Sequence, residues 1–105
     1  MIIPKRILIG QHYYNISKCW LIDWKRDLAG QINYITKDLK LLKNTDNREL
    51  EGTLFHEVAH GLLKELEFNY PKITAFRNDE KFVQELGLNL RKTFLDLLNN
   101  QEAKR

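Results

Sequence analysis

The chain has 105 residues, 43% hydrophobic and 30% charged, which is one domain's worth of a globular protein and too little for two. Its 17 Lys and Arg against 14 Asp and Glu leave a net charge of +3, with no five-residue block of one sign. That spread implies a mixed-charge solvated surface and gives no basic stripe for nucleic acid.

The longest stretch free of Asp, Glu, Lys and Arg is Ile7 to Ser17, eleven residues, short of the roughly 20 apolar residues of a spanning helix. Lys5 and Arg6 are followed by no apolar core and small-residue cleavage site, so no secretory signal is expected. The single Cys19 excludes an intrachain disulfide and fits a reducing cytoplasm.

Before Thr45, β-branched and aromatic residues dominate, and turn residues separate them into short runs. Strands are expected at Arg6–Ile9, Tyr13–Cys19, Gln31–Thr36 and Leu39–Leu42, with Gly10-Gln11 and Ala29-Gly30 as punctuation. Trp20 to Leu28 is compatible with strand, loop or a helical turn.

After Thr45 the period changes to that of a helix. Asp46 with Glu49 three residues later fits a capping box. Leu50, Leu54, Val58, Leu62 and Leu66 then recur every fourth residue, with Phe55, Ala59 and Leu63 beside them, so one broad face is apolar. Pro71 falls beyond the end of this helix. A second helix is expected from Asn78 or Asp79, with Phe82, Val83, Leu86, Leu90, Phe94, Leu97 and Leu98 as its apolar set. Its polar end, Asn99 to Arg105, is expected to fray. The fold class is therefore α+β: a single domain over residues 1–105, with short strands in its N-terminal part and two helices after them.

The first helix contains His56-Glu57-Val58-Ala59-His60, an H-E-x-x-H pattern. Residues i and i+4 stand one above the other on a helix, so both imidazoles can reach one ion, and zinc accepts neutral imidazole nitrogen. Glu57 is rotated by about 100° from His56, where a carboxylate can take a proton from a zinc-bound water and return it to a leaving amine. With Leu50 at zero, the apolar arc extends to about 220°, and His56 and His60 follow at about 240° and 280°, at the edge of the buried stripe. Gly61 leaves room for another segment to approach.

A catalytic zinc takes three protein ligands and a water. Glu80, Asp79, Glu85, His12 and Cys19 are the candidates for the third. On the second helix Glu80 lies at the edge of the apolar stripe, in line with Val83, Gly87, Leu90 and Phe94, whereas Glu85 points away. A carboxylate aimed toward the core needs a positive partner, and a zinc ion is one. Glu80 is therefore the expected ligand. Asp79 is its main rival, and is also suited to an N-cap or to orienting a ligand histidine.

His56 to His60, followed by Glu80, Val83, Gln84, Leu86, Gly87 and Leu90, resembles the ImmA/IrrE-type metallopeptidases of phages, mobile elements and bacterial stress responses. Their pattern is roughly H-E-x-x-H and then E-x-x-A-N-x-F-A-x-x-L, with Val83 here in place of the alanine and Gln84 in place of the asparagine. The likeness covers about residues 45–98. It implies a minimal zincin-like fold of gluzincin type, a small N-terminal β-sheet packed on the H-E-x-x-H helix with a C-terminal helix after it, with His56, His60 and Glu80 on Zn2+ and Glu57 as general base. It also implies hydrolysis of a peptide bond in a protein or peptide substrate, which in some relatives is a repressor. No helix-turn-helix is evident, so neither direct nucleic-acid nor membrane binding is expected.

For the reaction, Tyr70, Tyr34 or His12 could supply an oxyanion donor, and Leu39–Leu42 or Gln31–Thr36 could pair with an extended substrate. Two other readings compete. One is a non-catalytic interaction or regulatory protein on a zincin scaffold, with a structural or vestigial metal site. The other is a deformylase-like hydrolase using Cys19, although Ser17-Lys18-Cys19-Trp20 does not resemble that family's cysteine motif.

Overall fold

A computed structural model describes residues 1–22, 28–43 and 45–103. Four strands come first: β1 (Arg6–Ile9), β2 (His12–Cys19), β3 (Gly30–Asn33) and β4 (Asp38–Leu42). Then follow α1 (Asn47–Glu67), a 3-10 turn (Pro71–Ile73), the short α2 (Thr74–Arg77) and α3 (Glu80–Ala103). The α+β class expected from the sequence is what the chain adopts. The segment Trp20 to Leu28 lies largely outside the described residues, which omit 23–27.

The strands form one sheet in the order β1-β2-β4-β3. β1 and β2 pair antiparallel, as do β3 and β4, while β2 and β4 run parallel, Ile16 opposite Leu39 and Cys19 opposite Leu42. Of the two segments that could have been a free edge, β4 is interior and β3 is the edge. β3 is also shorter than expected, because Asn33 ends it. Its Oδ1 accepts from Ile35 N at 2.9 Å and Thr36 N at 3.1 Å, and Lys37 takes a left-handed φ of 60°. A side chain that bonds the backbone two and three residues on replaces the ladder with a turn.

α1 begins where the cap was expected: Asp46 Oδ1 accepts from Glu49 N at 2.8 Å. The helix lies between the sheet and α3, which is why its apolar face is so broad. On one side Leu50, Leu54 and Val58 pack with Ile9, Tyr14, Leu39 and Leu41 of the sheet. On the other, Ala59 and Leu63 pack with Val83, edged by Ile73, Leu86 and Leu90. Gly61 is a close contact, as expected: a methyl there would lie 3.0 Å from Ile32 Cδ1 and 3.1 Å from Ile9.

Glu51 is buried within this helix. It receives the Met1 amino group at 2.8 Å, Asn47 Nδ2 at 3.2 Å and Arg91 Nη2 of α3 at 3.3 Å. The hydrogen bond from the amino group and the pull of Arg91 hold its carboxyl below the usual range, against the opposing effect of burial.

α3 departs from its expected stripe in the second half. Val83, Leu86 and Leu90 face α1 and Phe94 rests against Phe55 of α1, their rings 5.8 Å apart, but Leu97 is 59% exposed. Arg91 and Phe94 still reach α1, at Glu51 and Phe55, and the apolar period of α3 continues past them to the exposed Leu97. The helix itself persists through Ala103, across most of the tail expected to fray. Gln101, Glu102 and Ala103 are all good helix formers. Among the described residues, no helix is long and apolar enough to cross a membrane.

Candidate metal centre

Two ladders of side chains meet where α3 crosses α1. On α1, His56 and His60 are one turn apart, their rings 4.9 Å between centroids at 73°. On α3, Glu80 and Gln84 have the same four-residue spacing and the same upward alignment. The crossing is close because residue 87 is glycine. A Cβ there would stand 3.0 Å from His56 Cα and 3.1 Å from Phe55 O, both backbone atoms that cannot give way. Glu80 is the first residue of α3, set by Asp79, whose Oδ1 accepts from Lys81 N at 3.1 Å and Phe82 N at 3.2 Å.

The result is a three-residue group. Glu80 Oε2 is 3.3 Å from His56 Nε2, and Glu80 Oε1 is 3.2 Å from His60 Nε2. One ligand atom from each of the three residues falls within 4.8 Å of the others. Ligands about 2.1 Å from a tetrahedral zinc stand about 3.4 Å from each other, the scale of the two contacts, which Glu80 makes through its two different carboxylate oxygens. Two imidazole nitrogens and one carboxylate oxygen are also a donor set that zinc accepts.

The protonation states agree with that use. Burial pushes His60 down, more than the neighbouring Glu80 carboxylate pulls it up, so its neutral, ligating form is favoured. His56 Nδ1 lies 2.7 Å from Gln84 Oε1. With the amide oxygen as acceptor, Nδ1 carries the proton and donates, leaving the Nε2 lone pair aimed at Glu80.

Glu57 is 8% exposed. Burial pushes its carboxyl up to about 7, aided by the Glu80 charge and opposed by His56. The edge strand closes over it. A methyl at Gly30 would clash with Thr53 Cγ2 and stand 3.3 Å from Lys40 O and 3.4 Å from Glu57 Cγ, so glycine is what allows β3 to approach α1 here.

These residues line a cleft of about 880 Å³. α1 gives its floor through His56, Glu57 and His60; β3 gives one wall through Gly30, Gln31 and Ile32; α3 gives the other through Glu80, Gln84 and Leu88. Tyr34 and Arg77 also line it.

The remaining candidates sit elsewhere. Asp79 caps α3 and is not in the group. Glu85 is exposed and takes no part. His12 pairs with Glu65 at 2.9 Å, and Cys19 Sγ has Ser17 Oγ 4.0 Å away. Neither belongs to the three-residue group, so the cysteine-based alternative has no geometric support among the described residues. Of the three possible oxyanion donors, Tyr34 lines the cleft, while Tyr70 is 61% exposed and, like His12, does not line it.

Sequence reasoning missed Gln84 as the partner of His56, Gly30 as the point where β3 meets α1, and Arg77 as a residue of the cleft wall. Gln84 had a usable signal in its i+4 spacing from Glu80; the other two had none, because their neighbours are remote in the chain. The chain matches no family model, no curated protein and no solved structure.

Proposed function

We propose that this protein is a zinc-dependent peptidase with a minimal zincin-like fold, acting on a protein or peptide substrate. The observation that carries this reading is the convergence of His56 Nε2, His60 Nε2 and the Glu80 carboxylate beside a buried Glu57 at the base of an open cleft.

His56, His60 and Glu80 are the residues that would hold the ion. Zinc there supplies Lewis acidity toward a carbonyl and a water acidified to near neutral pH. Glu57 takes the proton of the attacking water and returns it to the leaving nitrogen. Gln84 fixes the ring of His56. The outer edge of β3, which has no neighbouring strand among the described residues and runs next to Glu57, is suited to pair with an extended peptide and to lay its backbone along the cleft. A regulatory protein is a suitable substrate class by the ImmA/IrrE-type resemblance.

The test is Glu57→Gln, assayed on unfolded protein substrates and a peptide library. Hydrolysis is expected to fall by about 10²-fold or more while bound zinc is unchanged. Equal hydrolysis by Glu57→Gln and wild type overturns the reading. A full biological effect from the inactive variant would favour the non-catalytic, interaction-protein alternative.

A further inference from the structure

We infer that Tyr34 is a catalytic residue of this site, donating its phenolic hydrogen bond to the carbonyl oxygen of the substrate as negative charge builds there, and that Arg77 positions it. The inference rests on the peptidase reading and adds to it the donor that the two histidines and two glutamates do not provide.

Tyr34 stands in the turn that follows β3, and its placement is fixed from several sides. Lys37 Nζ donates to its backbone oxygen at 2.6 Å, the Asn33 side chain holds the turn, and Lys64 Nζ is 5.7 Å from the ring centroid. Arg77 reaches it from the opposite element. Arg77 Nε donates to Glu67 Oε2 at 2.7 Å, and Glu67 also receives Thr74 Oγ1 at 2.9 Å and Lys64 Nζ at 3.3 Å. So the last residue of α1 clamps α2. The anchored guanidinium lies beside the Tyr34 phenol on the wall of the cleft, close enough for its charge to act on the phenol oxygen. A guanidinium only donates, so it turns the phenol toward presenting its oxygen to Arg77 and its hydrogen to an acceptor elsewhere.

Both residues line the same cleft as His56, Glu57, His60 and Glu80. They are near enough for the Glu57 charge to act on Tyr34 and for the Arg77 charge to act on His60. Burial pushes the phenol up from its ordinary value, more than Arg77 pulls it down, so at neutral pH it is a donor.

The chemistry balances as follows. The water oxygen bonds to the carbonyl carbon, the π pair moves onto the carbonyl oxygen, and the water proton goes to Glu57. The anionic oxygen then accepts the Tyr34 O–H hydrogen bond, which is stronger than the same contact to the neutral carbonyl. On collapse the pair returns, the C–N bond breaks, and the nitrogen takes the proton from Glu57. Tyr34 ends as it began.

The experiment compares wild type with Tyr34→Phe, Arg77→Met, Arg77→Lys and the double variant Tyr34→Phe/Arg77→Met. Three quantities are read: bound zinc, kcat and KM on a cleaved peptide, and the affinity of a phosphinic peptide as tetrahedral-anion mimic. Expected for Tyr34→Phe is about a 10²-fold loss in kcat, a KM within about twofold, a parallel loss in phosphinate affinity, and unchanged zinc. Arg77→Met should show a smaller loss of the same kind, partly restored in Arg77→Lys and absent when Phe already occupies position 34. If Tyr34→Phe keeps its kcat and phosphinate affinity while wild type cleaves peptide, this assignment is wrong and the peptidase reading stands. If wild type loaded with zinc neither cleaves peptides nor binds the phosphinate, the peptidase reading fails and this assignment with it.

Discussion

Gln84 Oε1 lies 2.7 Å from His56 Nδ1, and this contact between α3 and α1 decides which nitrogen of His56 faces Glu80. Without it the imidazole can rotate or change tautomer, and Nε2 is no longer held ready. Groups of this kind are worth about 10- to 100-fold in metal affinity. Gln84→Ala should weaken zinc binding by about that factor, measured by competition with a chromogenic chelator. Gln84→Glu, which keeps an acceptor at the same place, should retain most of the affinity. Equal affinities for wild type and Gln84→Ala would remove Gln84 from the site.

Three acidic residues near the start of α3 have separable tasks. Glu80 faces both imidazoles, Asp79 caps the helix, and Glu85 is exposed. Zinc content by mass spectrometry or atomic absorption should collapse in Glu80→Ala, as in His56→Ala, and stay at the wild-type level in Glu85→Ala. Asp79→Ala should keep the ligands but lose the cap, at a cost of about 1 kcal/mol in chemical denaturation. Zinc lost from Glu85→Ala and kept by Glu80→Ala would overturn the assignment.

The legible part of this protein was the part that repeats along one helix. His56 and His60 declare their shared face by spacing alone, and Asp46 with Glu49 marks the start of α1. Glu80 was reachable because its phase on α3 could be compared with Val83 and Leu90. What could not be read depends on the approach of remote segments. Nothing in the local sequence says that Gly30 lies against Thr53, that β4 inserts between β2 and β3, or that Arg77 reaches Tyr34. Nor does periodicity reveal where a covering layer ends. Phe94 still rests on Phe55 of α1, whereas Leu97, one position further along the apolar pattern of α3, is 59% exposed.

Glu57 gives the metal-free protein a pH signature. Its folded value of about 7 stands above the ordinary 4.5, so between those values the native chain holds a proton that the unfolded chain has lost. The stability from this group is fully present below about pH 4.5 and is lost as pH rises through about 7, on the order of 3 kcal/mol. His60, shifted down, acts oppositely: its contribution is present above its unfolded value and is lost as pH falls. The two are separated by Glu57→Gln. In chelator, the variant should gain stability over wild type progressively from about pH 5 to pH 8, by urea denaturation. A constant difference across that range would show that Glu57 is not held protonated by burial.

Two glycines provide a matched test of how the helices are brought together. Gly87 and Gly52 both lie in helix interiors, where alanine is intrinsically better by about 1 kcal/mol. A methyl on Gly52 would meet no described atom within 4 Å, whereas on Gly87 it would press on His56 Cα at 3.0 Å. Backbone cannot yield as a flexible side chain can, so α3 must move away from α1, and Glu80 moves with it. Gly52→Ala should therefore be neutral or stabilising by up to about 1 kcal/mol, with zinc affinity unchanged. Gly87→Ala should be destabilising by about 1–3 kcal/mol and should weaken zinc binding at the same time, although residue 87 offers no ligand. Thermal denaturation and chelator competition on the two variants measure both quantities. The coupled loss at Gly87 is the informative outcome, since it ties the separation of two helices to the spacing of His56, His60 and Glu80. Zinc affinity unaffected in Gly87→Ala would mean that the close crossing does not set that spacing.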